Sequence, residues 1–430
     1  MSLADEIGNI GRAIQTRIYR EGVYGRKPAV PVDPERLRRA ARSAMSRRGW
    51  NYLQGSAGTE STASANRAAF ERYRIVPSML RDVSSRRLGV ELFGRELPIP
   101  LLLAPIGVLE LVHPQGDLAV AHAAADSGVP VMLSTQASWS MERVAEAAPR
   151  APRWFQLYWS SDDELVTSMV HRAERSGCEA IVVTLDTHVL GWRPRDLDAG
   201  FLPFAHGQGI AQYTADPVFA SLVRRRLKHP MSSPAPRPTP QALRALWSMS
   251  RNHPGSLLGN LRSPYPRAAV ETFLEVFSRS SLTWHELDFV RQRTNLPIVL
   301  KGLQRPDDAR RALDAGVDGV VVSNHGGRQI DGALGALEAL PGIVAEVDGR
   351  IPVLFDSGVR TGADVFKALA LGATAVGIGR PYAYGLAAAG ARGVRSVLEH
   401  LGAELDITMA LAGSADVAEL GPAALTRLDG

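Results

Sequence analysis

Eight short apolar runs recur along the chain, and each one ends in polar or turn-forming residues. They cover residues 101–105, 130–135, 153–158, 180–186, 297–302, 319–324, 352–358 and 375–380. Most of them are apolar at almost every position, which is typical of strands that are buried on both faces of a parallel sheet. The pattern therefore predicts eight buried strands.

Segments with the spacing of amphipathic helices separate the predicted strands. Examples are "DLAVAHAAADSG", "DDELVTSMVHRAERSG", "RPDDARRALDAG" and "GADVFKALALG", all of which end at glycine, as helices often do. Eight repeats of a buried strand followed by a helix predict an α/β fold of the (β/α)8 TIM barrel type. The length of the chain fits one domain of that kind.

Two regions fall outside this alternation. Residues 1–98 predict an N-terminal helical extension packed on the barrel of residues 99–430, with a short hairpin over residues 88–98. An insertion of about residues 201–283 follows the fourth strand and is rich in Pro, Ser and Arg. A connection of that size without regular structure indicates a lid, a partner surface or partial disorder. On this side of the barrel it would lie over the active-site face.

Composition excludes several classes of protein. The 49 Lys and Arg residues against 44 Asp and Glu give a net charge of +5, so no nucleic-acid partner is expected, whereas an anionic substrate is compatible. Cys178 stands alone, which rules out an internal disulfide framework. No apolar run approaches the roughly 18 residues of a membrane span, and no secretory signal is visible. We therefore expect a cytoplasmic protein without a transmembrane segment.

The charge of the insertion leaves one alternative open. Its stretch "RRRLKHP" predicts a solvated segment, with contact to a membrane surface as the other interpretation. The histidines of the chain show no metal-ligand spacing, so we expect no metal.

Polar side chains cluster at the ends of the predicted strands. They include Ser134, Gln156, Tyr158, Thr184, Asp186 and Lys301. Chemistry in (β/α)8 barrels lies at the carboxyl ends of the strands, so this distribution predicts an active site there.

The last two strands end in glycine and arginine. Gly358 and Arg360 precede the helical segment "ADVFKALALG", while Gly379 and Arg380 close the eighth strand. Glycines allow backbone N–H groups to approach an anion, a helix N-terminus adds a positive dipole end, and arginines add charge. The pair of loops predicts a phosphate site. The alternative is ordinary turn glycines with surface arginines.

Charged groups at other strand ends suggest chemistry. Lys301 ends a buried strand and needs a negative partner, either a cofactor with delocalised charge or a carboxylate such as Asp186 or Asp356. In "VVSNHGGRQIDG", His325 could act as a general base whose protonated form Asp186 stabilises. Arg328, three residues further on, could bind a carboxylate through two parallel hydrogen bonds.

Together, "SNHGGRQ", "DSGVRTGADVFKALALGA" and "IGRP" resemble the FMN-dependent α-hydroxy acid oxidases and dehydrogenases, and the resemblance runs from about Trp50 to the C-terminus. Within that family, "APIGV", "VTLDT", "GWRPRDL" and "YTADPVF" are most similar to lactate 2-monooxygenase. The resemblance implies FMN as cofactor and oxidation of an L-lactate-like (S)-2-hydroxy acid, with O2 reoxidising the flavin and oxidative decarboxylation of the product. The alternatives are an oxidase that releases H2O2 and a dehydrogenase that passes electrons to a membrane or protein acceptor.

The resemblance also implies roles for individual residues. His325 would take the proton of the substrate hydroxyl while a hydride passes to flavin N5, and Asp186 would stabilise the imidazolium. The substrate contacts it implies are Tyr52, Arg193 and Arg328 on the carboxylate, Tyr158 on the hydroxyl, and Tyr213 from a lid. The cofactor contacts it implies are Pro105, Ile106, Gly107, Ser134, Gln156, Thr184, Lys301, Ser323, Asp356, Gly358, Arg360, Gly379 and Arg380.

Some of these assignments have alternatives. Tyr52 could be a packing residue of the helical extension, and Tyr213 reaches the substrate only if its loop folds over the site. Gln136 stands where glycolate oxidases carry an aromatic residue, and His188 where the monooxygenase carries tryptophan. The insertion also exceeds that of the monooxygenase, which leaves the substrate side chain open. The family resemblance implies a homo-oligomer, a tetramer or an octamer.

Overall fold

Eight parallel strands close into a barrel in the computed structural model, which describes residues 9–229 and 239–428. The strands are β1 (Leu101–Leu103), β2 (Val131–Ser134), β3 (Arg153–Leu157), β4 (Ile181–Thr184), β5 (Ile298–Leu303), β6 (Gly319–Val322), β7 (Val353–Phe355) and β8 (Ala375–Ile378). Each strand pairs with the next along the chain, and β8 pairs with β1. The predicted fold and all eight predicted strands are confirmed.

Helices surround the barrel. They are α1 (Ile10–Val23), α2 (Pro34–Ala44), α3 (Arg47–Gln54), α4 (Ser61–Glu71), α5 (Gly116–Ser127), α6 (Met141–Ala147), α7 (Asp163–Arg175), α8 (Pro194–Asp198), α9 (Ala211–Thr214), α10 (Pro217–Lys228), α11 (Pro240–Asn252), α12 (Leu257–Leu261), α13 (Tyr265–Val276), α14 (Leu287–Arg291), α15 (Pro306–Asp314), α16 (Ala336–Val347), α17 (Gly362–Ala370) and α18 (Arg380–Ala412). Within the part of the chain that the structure describes, every helix is too short or too polar to cross a membrane.

The barrel interior is filled with side chains, and the barrel is closed at its lower end, which is the end where the strands begin. Leu102, Met132 and Trp154 belong to a buried inner layer to which every strand contributes. A hairpin of strands Val90–Leu92 and Arg95–Leu97 adds Leu92 and Leu97 to that layer from below. Because the lower end is plugged, a ligand can enter only from the carboxyl ends of the strands.

The N-terminal helices pack against the outside of the barrel. Helices α1 and α2 contact α18, and the buried Asp406 on α18 accepts hydrogen bonds from the Gly11 amide at 2.8 Å and from Arg86 at 2.6 Å. Ser46 precedes helix α3, and its hydroxyl caps the helix by accepting the Gly49 amide at 3.1 Å. The helices and the hairpin expected before the barrel are present, while the division into two domains stays a prediction.

The insertion after β4 is largely helical, unlike the expectation of a connection without regular structure. Helices α9 to α13 lie in it. The prolines of the insertion do not prevent helices, because Pro217 and Pro240 occupy the first turn of α10 and α11, where proline is favoured. The side chains of Asp216 and Thr239 cap these two helices. Part of the "RRRLKHP" stretch falls in α10, and its last residue lies outside the described residues.

Candidate active site

A cavity lies at the carboxyl ends of the barrel strands, and residues at or after the end of each of the eight strands line it. Its empty space, including the open mouth, is about 1020 Å³, which accommodates a nucleotide-sized cofactor together with a small substrate. The predicted site residues that line it are Tyr52, Pro105, Ile106, Gly107, Tyr158, Arg193, Lys301, His325, Arg328, Asp356, Gly358, Arg360, Gly379 and Arg380.

Four further predicted residues are buried at the strand ends around the cavity. Ser134 stands opposite Gln156 in the sheet, Thr184 stands opposite Lys301, and Ser323 follows β6. The Nε2 atom of Gln156 and the Oγ1 atom of Thr184 are buried without a hydrogen-bond partner in the described ranges. Buried donors of this kind are costly unless they are paired, so these two strand ends call for a ligand.

A histidine and an aspartate meet at one side of the cavity. Oδ1 of Asp186 lies 2.9 Å from Nδ1 of His325. His325 has a φ of +57°, a left-handed conformation that is unfavourable outside glycine, and its amide donates to the Ser323 hydroxyl at 3.1 Å. Burial would raise the pKa of Asp186, but the charge and hydrogen bond of His325, together with Lys301, lower that pKa to about 2. The imidazole therefore lies beside an ionised carboxylate.

Two arginines and a tyrosine form a cationic wall. Arg328 donates from Nη1 to the carbonyl oxygens of Tyr52 at 2.7 Å and Gly55 at 2.6 Å. Burial and the neighbouring charge of Arg193 lower the pKa of Arg328 to about 9. Among the carboxylates of the described ranges, Arg193 pairs loosely with Asp196, with 3.8 Å between Nη1 and Oδ2. Two partly buried cations that are not fully compensated form a binding site for an anion such as a carboxylate.

Lys301 has a protein partner as well as a place in the cavity wall. Its Nζ atom lies 2.9 Å from Oδ2 of Asp356 and donates to the Ser323 hydroxyl at 2.8 Å. Burial would lower the pKa of Lys301, but Asp356 and Asp186 outweigh it and the pKa is raised. The ion pair expected as one of two alternatives is therefore present, and the lysine stays charged where a ligand can meet it.

Two more arginines are partly buried on the side of β7 and β8. Arg380 donates to the carbonyl oxygen of Gly326 at 3.0 Å and to the Ser56 hydroxyl at 2.9 Å, while Arg360 donates to the carbonyl oxygen of Val359 at 2.7 Å. Burial lowers the pKa of Arg360 to about 10 and also lowers the pKa of Arg380. Neither guanidinium forms an ion pair with a carboxylate of residues 9–229 or 239–428. A doubly charged anion would compensate both.

The N-terminus of α17 differs from the expectation for the phosphate loop. The Gly362 amide donates to Oε2 of Glu404 at 2.7 Å, and the Arg360 amide donates to Oδ2 of Asp364 at 2.8 Å. These two amides already have carboxylate partners, which compete with the anion that the phosphate-site prediction places at this helix end. The arginine side chains and the open space beside Gly379 remain for anion binding.

The structure brings further residues into the cavity that the sequence did not single out. They are Leu53, Ala104, Thr187, Leu190, Phe277, Gly326, Ser357, Val359 and Gly377, beside Gln136. Thr187 could have been found from the "VTLDT" pattern, since its hydroxyl lies 2.9 Å from Oδ1 of Asp186. Phe277 gives no such signal because it comes from the far end of the insertion.

Tyr213 is not brought into the cavity. Its ring is buried in an aromatic cluster, with ring centroids 4.7 Å from Phe273 and 5.4 Å from Phe219. Burial raises the pKa of Tyr213, and its hydroxyl has no partner among the residues that the structure describes. The predicted lid contact with the substrate is therefore corrected to a packing role, because the short helix α9 turns the ring inward.

The fold and the site together define a barrel with a cation-lined cavity at the carboxyl ends of its strands, and comparisons with known proteins give its family. Residues 41–427 match the family described as FMN-dependent dehydrogenase. The chain is 43% identical over 415 residues to an FMN-dependent alpha-hydroxy acid dehydrogenase of Penicillium citrinum, which covers 96% of this chain and 95% of that protein.

Oxidases are among its relatives too. The chain is 42% identical to an L-lactate oxidase of Lysinibacillus sphaericus, with 89% of each protein covered. It is 40% identical to a 4-hydroxymandelate oxidase of Amycolatopsis orientalis, with 89% of this chain and 94% of that protein covered. The crystal structure of a mandelate oxidase with (S)-4-hydroxymandelic acid matches with a TM-score of 0.75 and 40% identity over 93% of this chain and 99% of that one.

The chain therefore belongs to the FMN-dependent dehydrogenase family, and FMN is its cofactor. The residues present fit this group. Arg360 and Arg380 carry positive charge without a carboxylate partner in the described ranges and would suit a phosphate, and the unpartnered groups of Gln156 and Thr184, with Lys301, could contact a polar ring system. Within the described ranges, no cluster of His, Cys, Asp or Glu side chains could hold a metal ion.

Proposed function

We propose that this FMN-dependent oxidoreductase oxidises an (S)-2-hydroxy acid to the 2-keto acid and passes the electrons to O2. The contact between His325 and Asp186 beside the cationic wall carries this proposal, because it combines a base with a carboxylate-binding site in one cavity. The oxidases of lactate and 4-hydroxymandelate among the relatives support the same class of substrate.

The substrate carboxylate would lie against Arg193, Arg328 and Tyr52. Arg328 is held by two carbonyl oxygens at the C-terminal end of α3, one from Tyr52 in its last turn and one from Gly55 directly after it, so its guanidinium is oriented before the substrate arrives. An orientation fixed in advance lowers the entropy lost on binding and aligns the reacting carbon.

His325 would remove the proton from the substrate hydroxyl. Its Nδ1 atom is hydrogen-bonded to Asp186, so Nε2 is the ring nitrogen that can accept this proton. The ionised carboxylate of Asp186 then stabilises the imidazolium. Tyr158 lines the same cavity, and its phenol stays protonated because burial and Asp186 raise its pKa, so its O–H can donate to the substrate oxygen.

The remaining polar residues would hold the cofactor. FMN, when bound, supplies the acceptor for the hydride that leaves the substrate carbon. Lys301 would place a positive charge beside the ring system, and Arg360 and Arg380 would bind the phosphate. The three residues contribute binding and electrostatic stabilisation, whereas proton removal is the task of His325.

The fate of the reduced oxygen depends on how long the keto acid stays in the site. Oxidative decarboxylation, which the motifs predict, requires that peroxide and keto acid remain together. Leu190 lines the cavity and is 40% exposed, so the cavity opens to solvent beside it. This opening favours release of H2O2, the behaviour of an oxidase.

Oxygen uptake by the FMN-loaded enzyme tests the proposal. With an (S)-2-hydroxy acid as substrate, catalase should return about half of the consumed O2, since two molecules of H2O2 give one of O2. Uptake that catalase does not change, with CO2 and the shortened acid as products, would assign the monooxygenase reaction instead. No uptake despite anaerobic bleaching of the flavin would assign a dehydrogenase with another acceptor.

A further inference from the structure

The connection between β4 and β5 contributes two apolar side chains to the cavity lining, and neither is needed by the base or by the predicted cofactor contacts. They are Leu190, from the loop after β4, and Phe277, which directly follows α13 at the far end of the insertion. Phe277 is only partly buried, and its ring is stacked on the buried Phe273 with 5.3 Å between centroids and 21° between the planes. The insertion therefore presents an aromatic face to the cavity.

The backbone fixes Phe277 next to the catalytic groups. The carbonyl oxygen of Val276 accepts the Ser160 hydroxyl at 2.6 Å and the Ser161 amide at 3.1 Å. These serines follow Tyr158 in the loop after β3, so two hydrogen bonds tie the end of the insertion to the strand end that carries the tyrosine. The position of the ring is set before a substrate enters.

Leu190 is fixed in a similar way. Gln329 donates from Nε2 to the carbonyl oxygens of Asp186 at 2.6 Å and Val189 at 2.9 Å, which holds the loop on either side. A Cβ atom at Gly191 would collide with the carbonyl oxygen of Arg328, so the loop also packs closely on the cationic wall. Leu190 is thus held three residues before Arg193.

The four substituents of the hydroxyl-bearing carbon of a 2-hydroxy acid indicate which part of the substrate these two side chains can contact. Under the proposed function its carboxylate faces Arg193 and Arg328, its hydroxyl faces His325, and its hydrogen faces the cofactor. The fourth substituent then faces the rest of the cavity lining, to which the connection between β4 and β5 contributes the apolar side chains of Leu190 and Phe277. Apolar walls bind apolar substituents because contact removes both surfaces from water.

We propose that Leu190 and Phe277 receive the side chain of the substrate, and that the enzyme prefers 2-hydroxy acids with an aromatic or other bulky apolar side chain over L-lactate. This inference rests on the proposed function of the site. A methyl group offers these side chains little apolar surface to cover, whereas a phenyl ring offers much more.

The ratio of kcat/KM for (S)-mandelate to that for L-lactate, measured by O2 uptake of the holoenzyme, tests the inference. We expect a ratio of at least about ten, since each methylene-sized contact in an apolar pocket changes kcat/KM by roughly tenfold. Phe277→Ala and Leu190→Ala should each lower the ratio by about fivefold or more. Phe277→Leu, which keeps an apolar side chain and avoids a cavity beside Phe273, should lower it less.

Matched controls come from the neighbouring positions. Leu274→Ala on α13 and Val189→Ala beside Leu190 change side chains that are 39% and 59% exposed and that do not line the cavity. Both should leave the ratio within about twofold of the wild-type value. Calorimetric dissociation constants of benzoylformate and pyruvate, the two keto acids, should follow the same order without turnover.

The outcomes are distinguishable. A higher kcat/KM for L-lactate, or a ratio that Phe277→Ala, Phe277→Leu and Leu190→Ala all leave unchanged, would overturn the specificity inference alone. Turnover of neither acid, with FMN bound, would overturn the proposed function, and the inference would fall with it.

Discussion

Asp186 and His325 are held 2.9 Å apart, Oδ1 to Nδ1, although 139 positions separate them in the sequence. Parallel pairing places the ends of β4 and β6 at the same edge of the barrel, on either side of β5. The left-handed backbone of His325 then turns the ring towards Asp186. A strained histidine beside an ionised carboxylate is the arrangement of a base that must become positively charged during the reaction.

Asp186→Asn should slow reduction of the flavin by substrate about 100-fold or more. The amide can still accept a hydrogen bond but no longer stabilises the imidazolium, and a positioned base with its partner contributes about that factor. Anaerobic stopped-flow absorbance measures the rate. Asp314→Asn, an exposed residue of α15, is the control and should react at the wild-type rate. An Asp186→Asn enzyme with wild-type flavin reduction would remove the carboxylate from the mechanism.

Lys301→Met should lower the free energy of unfolding of the apoprotein by about 3–5 kcal/mol, because removal of one partner of a buried ion pair leaves Asp356 charged and unpaired. Both side chains are largely buried, at 4% and 10% exposure. Urea denaturation gives the value. The double variant Lys301→Met with Asp356→Asn should recover part of the loss. Equal stability of the single variant and the wild type would show that the pair does not stabilise the fold.

Arg360→Gln should weaken FMN binding by about 10- to 100-fold, since it removes a charge-assisted contact to the phosphate. Riboflavin has no phosphate, so its weaker binding should change much less. Fluorescence titration of the apoprotein measures both dissociation constants. Arg305→Gln, whose side chain is 73% exposed, serves as the control and should bind FMN like the wild type. Equal losses for FMN and riboflavin would contradict a phosphate contact.

Glu110→Gln should stabilise the protein at pH 8 and leave its stability unchanged at pH 4. Burial raises the pKa of Glu110 to about 7 against an ordinary value of 4.5, with a further rise from Asp117, while the Gly209 amide opposes it. A carboxyl with a raised folded-state pKa stabilises the fold below its unfolded pKa, and this contribution is lost as the pH rises to about 7. Ionisation of the largely buried group thus costs about 3 kcal/mol at pH 8, which glutamine avoids.

Thermal unfolding at several pH values tests this prediction. The glutamine Oε1 atom can still accept the Gly209 amide, which lies 3.0 Å from the carboxylate oxygen, so the insertion keeps its contact to the loop after β1. Glu164→Gln, an exposed residue of α7, should show no such pH-dependent gain. A gain for Glu110→Gln that is the same at pH 4 and pH 8 would assign it to packing instead of charge.

The barrel and much of the site could be predicted from the sequence for physical reasons. Strands buried on both faces must be apolar throughout, so the eight runs were visible without a template. Their polar ends were visible for the same reason, since Gln156, Thr184 and Lys301 interrupt otherwise apolar segments. The pairing of Lys301 with Asp356 was one of two alternatives, because residue identity alone does not specify which neighbour lies at hydrogen-bond distance.

The insertion could not be predicted at the same level. Its prolines suggested irregular structure, yet Pro217 and Pro240 begin helices, because proline lacks only an N–H that the first turn does not use. Tyr213 was expected at the substrate but packs on Phe273, and Phe277 reaches the cavity instead. Long-range packing of aromatic rings decides which of them faces the ligand, and local sequence carries no information about that packing.

Anaerobic flavin reduction by an (S)-2-hydroxy acid, compared between the wild type and His325→Ala, tests the central claim most directly. We expect the flavin absorbance of the wild type to bleach fully, and the rate in His325→Ala to fall by at least about 100-fold with FMN still bound. Bleaching of His325→Ala at the wild-type rate, or no bleaching of the wild type by any 2-hydroxy acid, would contradict the account.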